Sequence, residues 1–320
     1  MTVKSKLIIG TRSSKLALWQ ANHIKEQLQK LFCDLEITLK EIKTKGDRML
    51  GISLSKIEGK GFFTKEIEDA LLNSEIDLAV HSLKDLPTKL PDGLKIGAVL
   101  KKEKPHDILI SKNKIKFKDL SENSKIGTSS LRRTAQLKAV RNDLEYLDLR
   151  GNLDTRIRKL EEGQYDAIVL AYAGVKRLGF EDKITEHFNP EDILPAVGQG
   201  ALAVEVRDDN NEIEKIISGL NHNETFLASV TERTFLEILQ GGCQVPIGAY
   251  SEIKENQITL YGMIASLDGK KIVKNKNTGK LKISECKLIG ENLAKTLLQI
   301  GGKEILKEIN VNKAFLHMIM

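Results

Sequence analysis

Lys125-Ile-Gly-Thr-Ser-Ser-Leu-Arg-Arg133 is the stretch that decides the fold, because its pattern predicts a short strand that runs through Gly127 into a helix. The same order begins the chain, where residues 6–10 predict a strand and residues 14–31 predict a helix with one apolar face. Strands and helices that alternate in series are typical of α/β proteins. The sequence therefore predicts an α/β fold.

Alternation continues on both sides of this stretch. The predicted strands lie at 35–42, 77–80, 94–100, 107–111, 146–149, 167–171 and 201–206, and the predicted helices at 65–72 and 153–160. The last third adds a helix at 224–239, alternating strands at 247–253 and 257–264, and a helix at 283–298. We expect two α/β units of similar size and a small C-terminal α+β domain.

The composition excludes several classes of protein. The chain has 320 residues, of which 41% are hydrophobic and 29% charged, as in ordinary globular proteins. No apolar run approaches the ~20 residues of a membrane span, and the apolar stretch near the N-terminus is too short for a signal peptide. The three cysteines and six histidines lack paired spacing, so we expect no disulfide framework and no metal site. A reducing cytoplasm fits this cysteine usage.

The net charge of +6 and the lysines between residues 101 and 118 raise the possibility of nucleic-acid binding. Aromatic residues make up only 5% of the chain, which leaves few side chains for base stacking. We interpret the lysine run as a solvated face.

The arginines are more informative than the lysines. Eleven arginines stand against thirty-nine lysines, yet six of the eleven lie between residues 132 and 158. A guanidinium grips a carboxylate or phosphate through two parallel hydrogen bonds, which an ammonium cannot do. The cluster predicts a site for a multiply anionic ligand, although exposed helix positions explain Arg141 and Arg158 equally well.

Three predicted junctions between a strand and a helix carry polar side chains. They are Gly10-Thr-Arg-Ser-Ser14, Gly127-Thr-Ser-Ser-Leu-Arg-Arg133 and Leu149-Arg-Gly-Asn152. Ligands of open α/β sheets bind at such junctions, where hydroxyls, free amides and arginines converge. Each junction alone also fits an ordinary helix cap.

A fourth stretch, Val80-His-Ser-Leu-Lys-Asp-Leu-Pro87, leaves a buried strand and places Lys84 beside Asp85. A carboxylate near cations keeps its charge and is suited to stabilise a developing positive charge or to move a proton. A plain surface turn explains these residues equally well.

Cys243 stands in Gly241-Gly-Cys-Gln-Val-Pro246, after a predicted helix and before a proline. The two glycines permit close approach of another molecule, and Pro246 ends any helix. A thiol displayed on such a loop suits covalent attachment or nucleophilic chemistry. The alternative is a small hydrophobic side chain in a tight turn.

Together these motifs resemble the porphobilinogen deaminase family, also called hydroxymethylbilane synthases, along nearly the whole chain. The matching stretches are Gly10-Thr-Arg-Ser-Ser-Lys-Leu-Ala-Leu-Trp-Gln20, Gly59-Lys-Gly-Phe-Phe-Thr-Lys-Glu66, Val80-His-Ser-Leu-Lys-Asp-Leu-Pro87, Ile126-Gly-Thr-Ser-Ser-Leu-Arg-Arg133, Leu149-Arg-Gly-Asn152, Ala173-Gly-Val-Lys-Arg-Leu178, Leu194-Pro-Ala-Val-Gly-Gln-Gly200 and Gly241-Gly-Cys-Gln-Val-Pro246. Two positions depart from the family pattern: Gln240 replaces an acidic residue and Asp154 replaces a small one.

The resemblance implies three domains, two of the periplasmic-binding-protein type and a third that carries the cysteine. The expected bounds are 1–100 with 201–218, 101–200, and 219–320. It further implies a monomeric transferase of haem biosynthesis that binds neither nucleic acid nor membrane. Cys243 would hold a dipyrromethane cofactor through a thioether. Four porphobilinogen units would be added to this primer, each losing ammonia, and hydrolysis would release hydroxymethylbilane.

Site residues follow from the same resemblance. Asp85 would stabilise the cationic azafulvene left after deamination and assist proton transfer. The residues expected to hold cofactor and product rings are Ser82, Lys84, Thr128, Ser129, Ser130, Arg132, Arg133, Arg150 and Arg156. Those expected to face the incoming substrate are Arg12, Ser14, Gln20 and Arg177, with Lys60 covering the site.

Apart from the resemblance, two other functions remain open. A small-anion binding protein fits two α/β lobes that close on a ligand, but it leaves Cys243 without a purpose. An RNA-binding protein would lose its ligand with salt and show no selectivity among small molecules. The mass of the intact chain separates the three hypotheses.

Overall fold

The computed structural model describes residues 5–48, 63–240 and 245–319. The strands are β1 (Lys6–Thr11), β2 (Glu36–Glu41), β3 (Leu78–Ser82), β4 (Leu94–Val99), β5 (Asp107–Ser111), β6 (Lys125–Gly127), β7 (Glu145–Leu147), β8 (Ala167–Ala171), β9 (Glu186–His187), β10 (Leu202–Arg207), β11 (Ile247–Lys254), β12 (Gln257–Ala265) and β13 (Ile272–Lys280). The helices are α1 (Lys15–Leu31), α2 (Lys45–Arg48), α3 (Lys65–Leu72), α4 (Leu131–Val140), α5 (Leu153–Glu161), α6 (Tyr172–Arg177), α7 (Asn211–Ile217), α8 (Asn223–Ile238), α9 (Ile283–Leu297) and α10 (Lys303–Ile319).

Two five-stranded sheets share one arrangement. The first sheet has the order β2-β1-β3-β10-β4 and the second β7-β6-β8-β5-β9. In each sheet the strand in fourth place, β10 or β5, runs antiparallel to both of its neighbours. We call these sheets and their helices the first unit and the second unit. With the small C-terminal sheet described below, they confirm the predicted fold class.

The two units are joined by two neighbouring connections, residues 100–106 and 188–201. The amide of Glu103 donates a hydrogen bond to the carbonyl of Gly200 at 3.2 Å, so the connections touch. Gly200 has φ +95°, and a Cβ there would lie 2.4 Å from the Glu103 carbonyl oxygen. Glycine is therefore required where the connections meet.

The core of the first unit lies between its sheet and α1. Ile24 and Leu28 of α1 are fully buried against Leu7 and Ile9 of β1. Burial of each such side chain stabilises the fold by about 1.5–3 kcal/mol. This packing fixes the start of α1 against the end of β1, where the first predicted polar junction lies.

The C-terminal unit is an antiparallel sheet in the order β11-β12-β13, packed against α8 and α9. Phe235, Leu293 and Cys286 are among its buried core residues. Sequence patterns did not predict β13 or α10. The sequence of β13, Ile-Val-Lys-Asn-Lys-Asn-Thr-Gly-Lys, is poor in strand-forming residues because it is a largely exposed edge strand.

No helix in the described part of the chain is both long and apolar enough to cross a membrane.

Candidate active site

A cleft of about 270 Å³ lies between the first and second units and opens to solvent. Its charged lining residues are Arg12, Lys15, Lys84, Asp85, Arg133, Arg150, Asp154, Arg156 and Arg177. Most of them are cations, and both units contribute. The cleft therefore suits a ligand with several negative charges.

The junction between β1 and α1 forms one wall of the cleft. Ser14 lines the cleft and caps α1 by accepting a hydrogen bond from the amide of Ala17 at 3.3 Å. Arg12 donates through Nε to Asp47 Oδ1 at 3.1 Å, and its Nη2 also contacts that carboxylate. The ring of Phe63 lies 4.5 Å from the guanidinium carbon of Arg12. Arg12 is thus held from two sides.

The turn after β3 brings Lys84 and Asp85 to the cleft. It is a short 3₁₀ helix, Leu83–Asp85, anchored by the buried side chain of Leu83. Asp85 is exposed and Lys84 is half-buried. Burial lowers the pKa of Lys84 to about 8, although the charge of Asp85 opposes this shift. Lys84 therefore remains mostly protonated at neutral pH.

Gln20 lies behind this turn and outside the cleft lining. It is buried, and its Nε2 donates to Ser82 Oγ at 2.9 Å. Ser82 itself lines the cleft. The structure therefore connects Gln20 to the site through Ser82.

A buried ionic network, which we call the Asp107 cluster, supports the second unit. It consists of Asp107, Arg132, Arg133 and Gln199. Arg132 Nη1 lies 2.7 Å from Asp107 Oδ2, Arg133 Nη2 lies 2.7 Å from Oδ1, and Gln199 Nε2 donates to Oδ1 at 2.9 Å. Burial alone would raise the pKa of Asp107, but the two guanidiniums hold it well below its ordinary value.

The two arginines of the Asp107 cluster differ in position. Arg132 is 5% exposed, also donates to the carbonyl of Leu194 at 2.6 Å, and is not among the residues lining the cleft. Arg133 is equally buried but does line the cleft. The structure therefore brings Arg133, and not Arg132, to the predicted site.

Three predicted ligand-binding hydroxyls also lie outside the cleft lining. Ser129 Oγ donates to the carbonyl of Leu149 at 2.6 Å, and Ser130 caps α4 by accepting from the amide of Arg133 at 3.4 Å. Thr128 is buried and accepts from the amide of Ser130 at 3.3 Å. These contacts shape the junction between β6 and α4.

Three further arginines reach the cleft from the second unit. Arg150 Nε lies 3.0 Å from Asp148 Oδ2. The other two donate to backbone carbonyls: Arg156 to Gly151 at 2.8 Å and Arg177 to Gly200 at 2.7 Å. Burial lowers the pKa of Arg156 and of Arg177 to about 10. Both guanidiniums therefore stay charged near neutral pH.

Asp154, one of the departures from the family pattern, joins the two units. Its Oδ2 lies 3.3 Å from Lys15 Nζ across the cleft. Lys15 is 75% exposed at its side chain, so the free energy of this pair is small. Gln240, the other departure, ends α8 in a left-handed conformation with φ 50°.

Cys243 and Lys60 lie outside the described residues, so both remain predictions. The helix that precedes Cys243 in sequence contacts the segment that follows the Asp85 turn. Arg233 of α8 donates to the carbonyls of Pro87 at 2.6 Å and Thr88 at 3.0 Å, directly after the Asp85 turn. The other two cysteines lie elsewhere: Cys33 is exposed and Cys286 is buried.

Sequence patterns missed Asp47, Phe63, Asp107 and Gln199. Asp107 carried a usable signal, because it opens a predicted strand whose next three residues are apolar, and a charge buried in such a strand needs a partner. Asp47 and Phe63 carried none, since their partner Arg12 lies more than thirty residues away.

The fold and the cleft define a two-lobed α/β protein whose cation-lined cleft suits a small, multiply anionic ligand. Comparison with known proteins shows the family to which this chain belongs. The chain belongs to the porphobilinogen deaminase family: the family's dipyromethane cofactor binding domain matches residues 7–215, and its C-terminal domain matches residues 226–299.

Curated relatives named porphobilinogen deaminase match nearly the whole chain. The protein of Carboxydothermus hydrogenoformans is 53% identical over 96% of this chain and 98% of its own length. The protein of Syntrophomonas wolfei is 51% identical over 94% of this chain and 98% of its own length. The protein of Chlorobium phaeovibrioides is 50% identical over 96% of this chain and 99% of its own length. Among solved structures, the chain is similar to the VFT2 domain of Bordetella pertussis BvgS, with 12% identity over 68% of this chain and 86% of that domain and a TM-score of 0.41.

Proposed function

We propose how the cleft performs the reaction of this family. The chain is a transferase of tetrapyrrole biosynthesis that polymerises four porphobilinogen molecules into hydroxymethylbilane and releases ammonia. The observation that carries the proposal is the convergence of Lys84, Asp85 and the cleft arginines from both units on one space. Porphobilinogen bears an acetate and a propionate, so these cations match its charge.

The cleft also suits the dipyrromethane cofactor, which carries the same two carboxylates on each ring. Arg156 and Arg177 donate to backbone carbonyls and, within the described residues, pair with no carboxylate. A poorly solvated cation without a counter-charge is costly, and a ligand carboxylate supplies one. Bound through Cys243, the cofactor supplies the pyrrole carbon that receives the first unit.

We assign the cations of the second unit to the bound rings. Arg133, Arg150 and Arg156 hold their carboxylates, together with Lys84 and Ser82 from the first unit. Arg132 contributes indirectly, because it shares Asp107 with Arg133 and thereby fixes that side chain. Thr128, Ser129 and Ser130 contribute through the shape of the same junction.

Residues from both walls of the cleft receive the incoming porphobilinogen. Arg12 and Ser14 lie at the start of α1, and Arg177 faces them from α6. Gln20 acts through Ser82, to which it donates a hydrogen bond. Lys60 remains a prediction as the residue that covers the site.

Asp85 is the catalytic residue in this proposal. It stands on a rigid turn beside Lys84 and lines the cleft. Its carboxylate stabilises the positive charge that remains on the substrate when ammonia departs, accepts hydrogen bonds from pyrrole N–H groups, and moves a proton at Oδ.

Asp85→Asn tests this role in an assay of porphobilinogen consumption and hydroxymethylbilane formation. We expect kcat to fall by about 10²–10³, the effect of removing one charge-stabilising group from a catalytic site. The unfolding temperature should not change, because Asp85 is exposed. Near-normal turnover in a folded variant would assign the role to another group, and a wild-type chain that consumes no porphobilinogen would refute the proposed function.

Several finer assignments accompany this function as proposals. The domain bounds 1–100 with 201–218, 101–200, and 219–320 are supported by the insertion of β10 into the first sheet. A monomeric state, a cytoplasmic location and the lack of nucleic-acid binding rest on the family resemblance and the composition.

A further inference from the structure

Arg12 is held more firmly than a surface arginine. Its Nε lies 3.1 Å from Asp47 Oδ1 and 3.3 Å from Oδ2, and its Nη2 contacts Oδ1 as well. The two side chains are only 21% and 18% exposed. Asp47 therefore grips the guanidinium along the edge formed by Nε and Nη2.

Asp47 is itself fixed by its neighbours. Its Oδ2 accepts hydrogen bonds from the amide of Thr44 at 3.1 Å and from Thr44 Oγ1 at 2.8 Å. Burial alone would raise the pKa of Asp47, but Arg12 and Thr44 together lower it. The carboxylate is thus charged at neutral pH and held by the chain segment that enters α2.

Phe63 restrains the flat face of the same guanidinium. Its ring lies 4.5 Å from Arg12 Cζ, within the range of a cation–π contact. The ring packs so closely on α2 that a Cβ at Gly46 would come within 2.1 Å of it. Any larger residue at position 46 would move the ring away from Arg12.

A second edge of the Arg12 guanidinium is not occupied by Asp47. Asp47 occupies Nε and Nη2, whereas Nη1 has no acceptor among residues 5–48, 63–240 and 245–319. Arg12 lines the cleft together with Gly46 and Phe63. The edge formed by Nη1 and the second Nη2 hydrogen is the geometry that a carboxylate binds with two parallel hydrogen bonds.

We propose that Asp47 is a positioning residue that holds Arg12 ready for one carboxylate of the incoming porphobilinogen, with Phe63 as the second restraint. The inference rests on the proposed function, because it takes Arg12 to face the substrate. A fixed guanidinium binds without first losing rotamer freedom, so the restraint lowers KM. It leaves kcat and the amount of bound cofactor unchanged, because neither depends on Arg12 orientation in this scheme.

Asp47→Asn and Gly46→Ala remove the two restraints separately, and the second does so without changing any charge. For each variant we expect KM for porphobilinogen to rise about tenfold, equivalent to about 1.4 kcal/mol, with kcat and cofactor content per chain within about twofold of wild type. Asp143→Asn is the matched control. Asp143 accepts from Nε of Arg141 at 2.8 Å in the same edge-on manner, outside the cleft lining.

The outcomes separate this inference from others. A KM that matches the Asp143→Asn control in both cleft variants would overturn it. A lower KM in Asp47→Asn would also overturn it, because Asp47 would then compete with the substrate. If Asp47→Asn does not fold, Gly46→Ala decides alone. Failure of the proposed function looks different, since the wild-type chain would not consume porphobilinogen at all.

Discussion

Arg132 and Arg156 lie on consecutive helices of the second unit, yet their surroundings are opposite. Arg132 shares the buried carboxylate of Asp107 with Arg133, and Gln199 completes that cluster. Arg156 donates to a backbone carbonyl and faces the cleft. Arg132 therefore has a structural role, because its charge is neutralised inside the protein and away from the cleft, whereas the charge of Arg156 remains available to a ligand.

Removal of Asp107 should have the largest effect on stability. Asp107→Ala leaves two buried guanidiniums without their counter-charge, and we expect the free energy of unfolding to fall by about 3–5 kcal/mol. Denaturant unfolding of the variant measures this. Asp148→Ala is the control, because its partner Arg150 forms a half-exposed pair, for which we expect at most about 1 kcal/mol. Equal losses in both variants would remove the distinction between the two kinds of arginine.

Conservative substitution of the two arginines should sharpen the same comparison. Arg156→Lys keeps the charge but removes the two-pronged donor, so we expect cofactor loading or chain elongation to fall about tenfold with unchanged stability. Arg132→Lys should mainly lower stability, by about 1–3 kcal/mol. Arg150→Lys should follow Arg156→Lys. Each variant needs both an unfolding curve and a count of cofactor and product rings by mass spectrometry.

Lys112→Ala is a control for charge alone. Lys112 is exposed and pairs with Asp166 at 3.1 Å on the surface of the second unit. The Lys112→Ala variant loses a positive charge, whereas the Arg156→Lys variant keeps one. If Lys112→Ala impairs loading while Arg156→Lys does not, the anion site has been placed on the wrong surface.

The pH dependence of cofactor loading should show the smallest effect. Lys84 has a lowered pKa of about 8, so it loses its proton as the pH rises through that value and then no longer attracts a carboxylate. Both the wild-type protein and Lys84→Arg are produced without porphobilinogen, and the rate of cofactor loading is measured for each. The ratio of the wild-type rate to the Lys84→Arg rate should fall about tenfold between pH 7 and pH 9. A constant ratio would show that Lys84 does not bind the ring carboxylates through its charge.

The lowered pKa of Lys84 also affects stability, which rises with pH where cofactor loading falls. In the unfolded chain Lys84 keeps its proton up to about pH 10.4. Between about pH 8 and that value the unfolded state binds more protons, so the contribution of Lys84 to stability rises with pH. Lys84 thus lowers the stability of the cofactor-free protein at neutral pH, as expected of a residue kept for its ligand.

Local patterns predicted most of the fold. The bounds of α3, β5 and β8 were predicted from apolar periodicity and match the structure. The edge strand β13 was missed because its lysines and asparagines face solvent and leave no alternating pattern. Hydrophobic periodicity reports burial, so it finds an element only where that element buries one face.

The site was harder to predict than the fold. Four of the predicted site residues, Arg12, Lys84, Asp85 and Arg156, line one cleft. No local pattern shows that Asp107 neutralises Arg132, because the carboxylate lies twenty-five residues away, on strand β5. Which arginines remain available to a ligand depends on such long-range pairs, and these require the tertiary structure.

The position and composition of the covalent adduct test the central claim most directly. The measurement is the mass of the intact active protein together with the masses of the peptides that carry Cys33, Cys243 and Cys286. The account predicts two linked pyrroles on Cys243 and free thiols on the other two cysteines. A free thiol at Cys243 in a chain that still converts porphobilinogen to hydroxymethylbilane would contradict it.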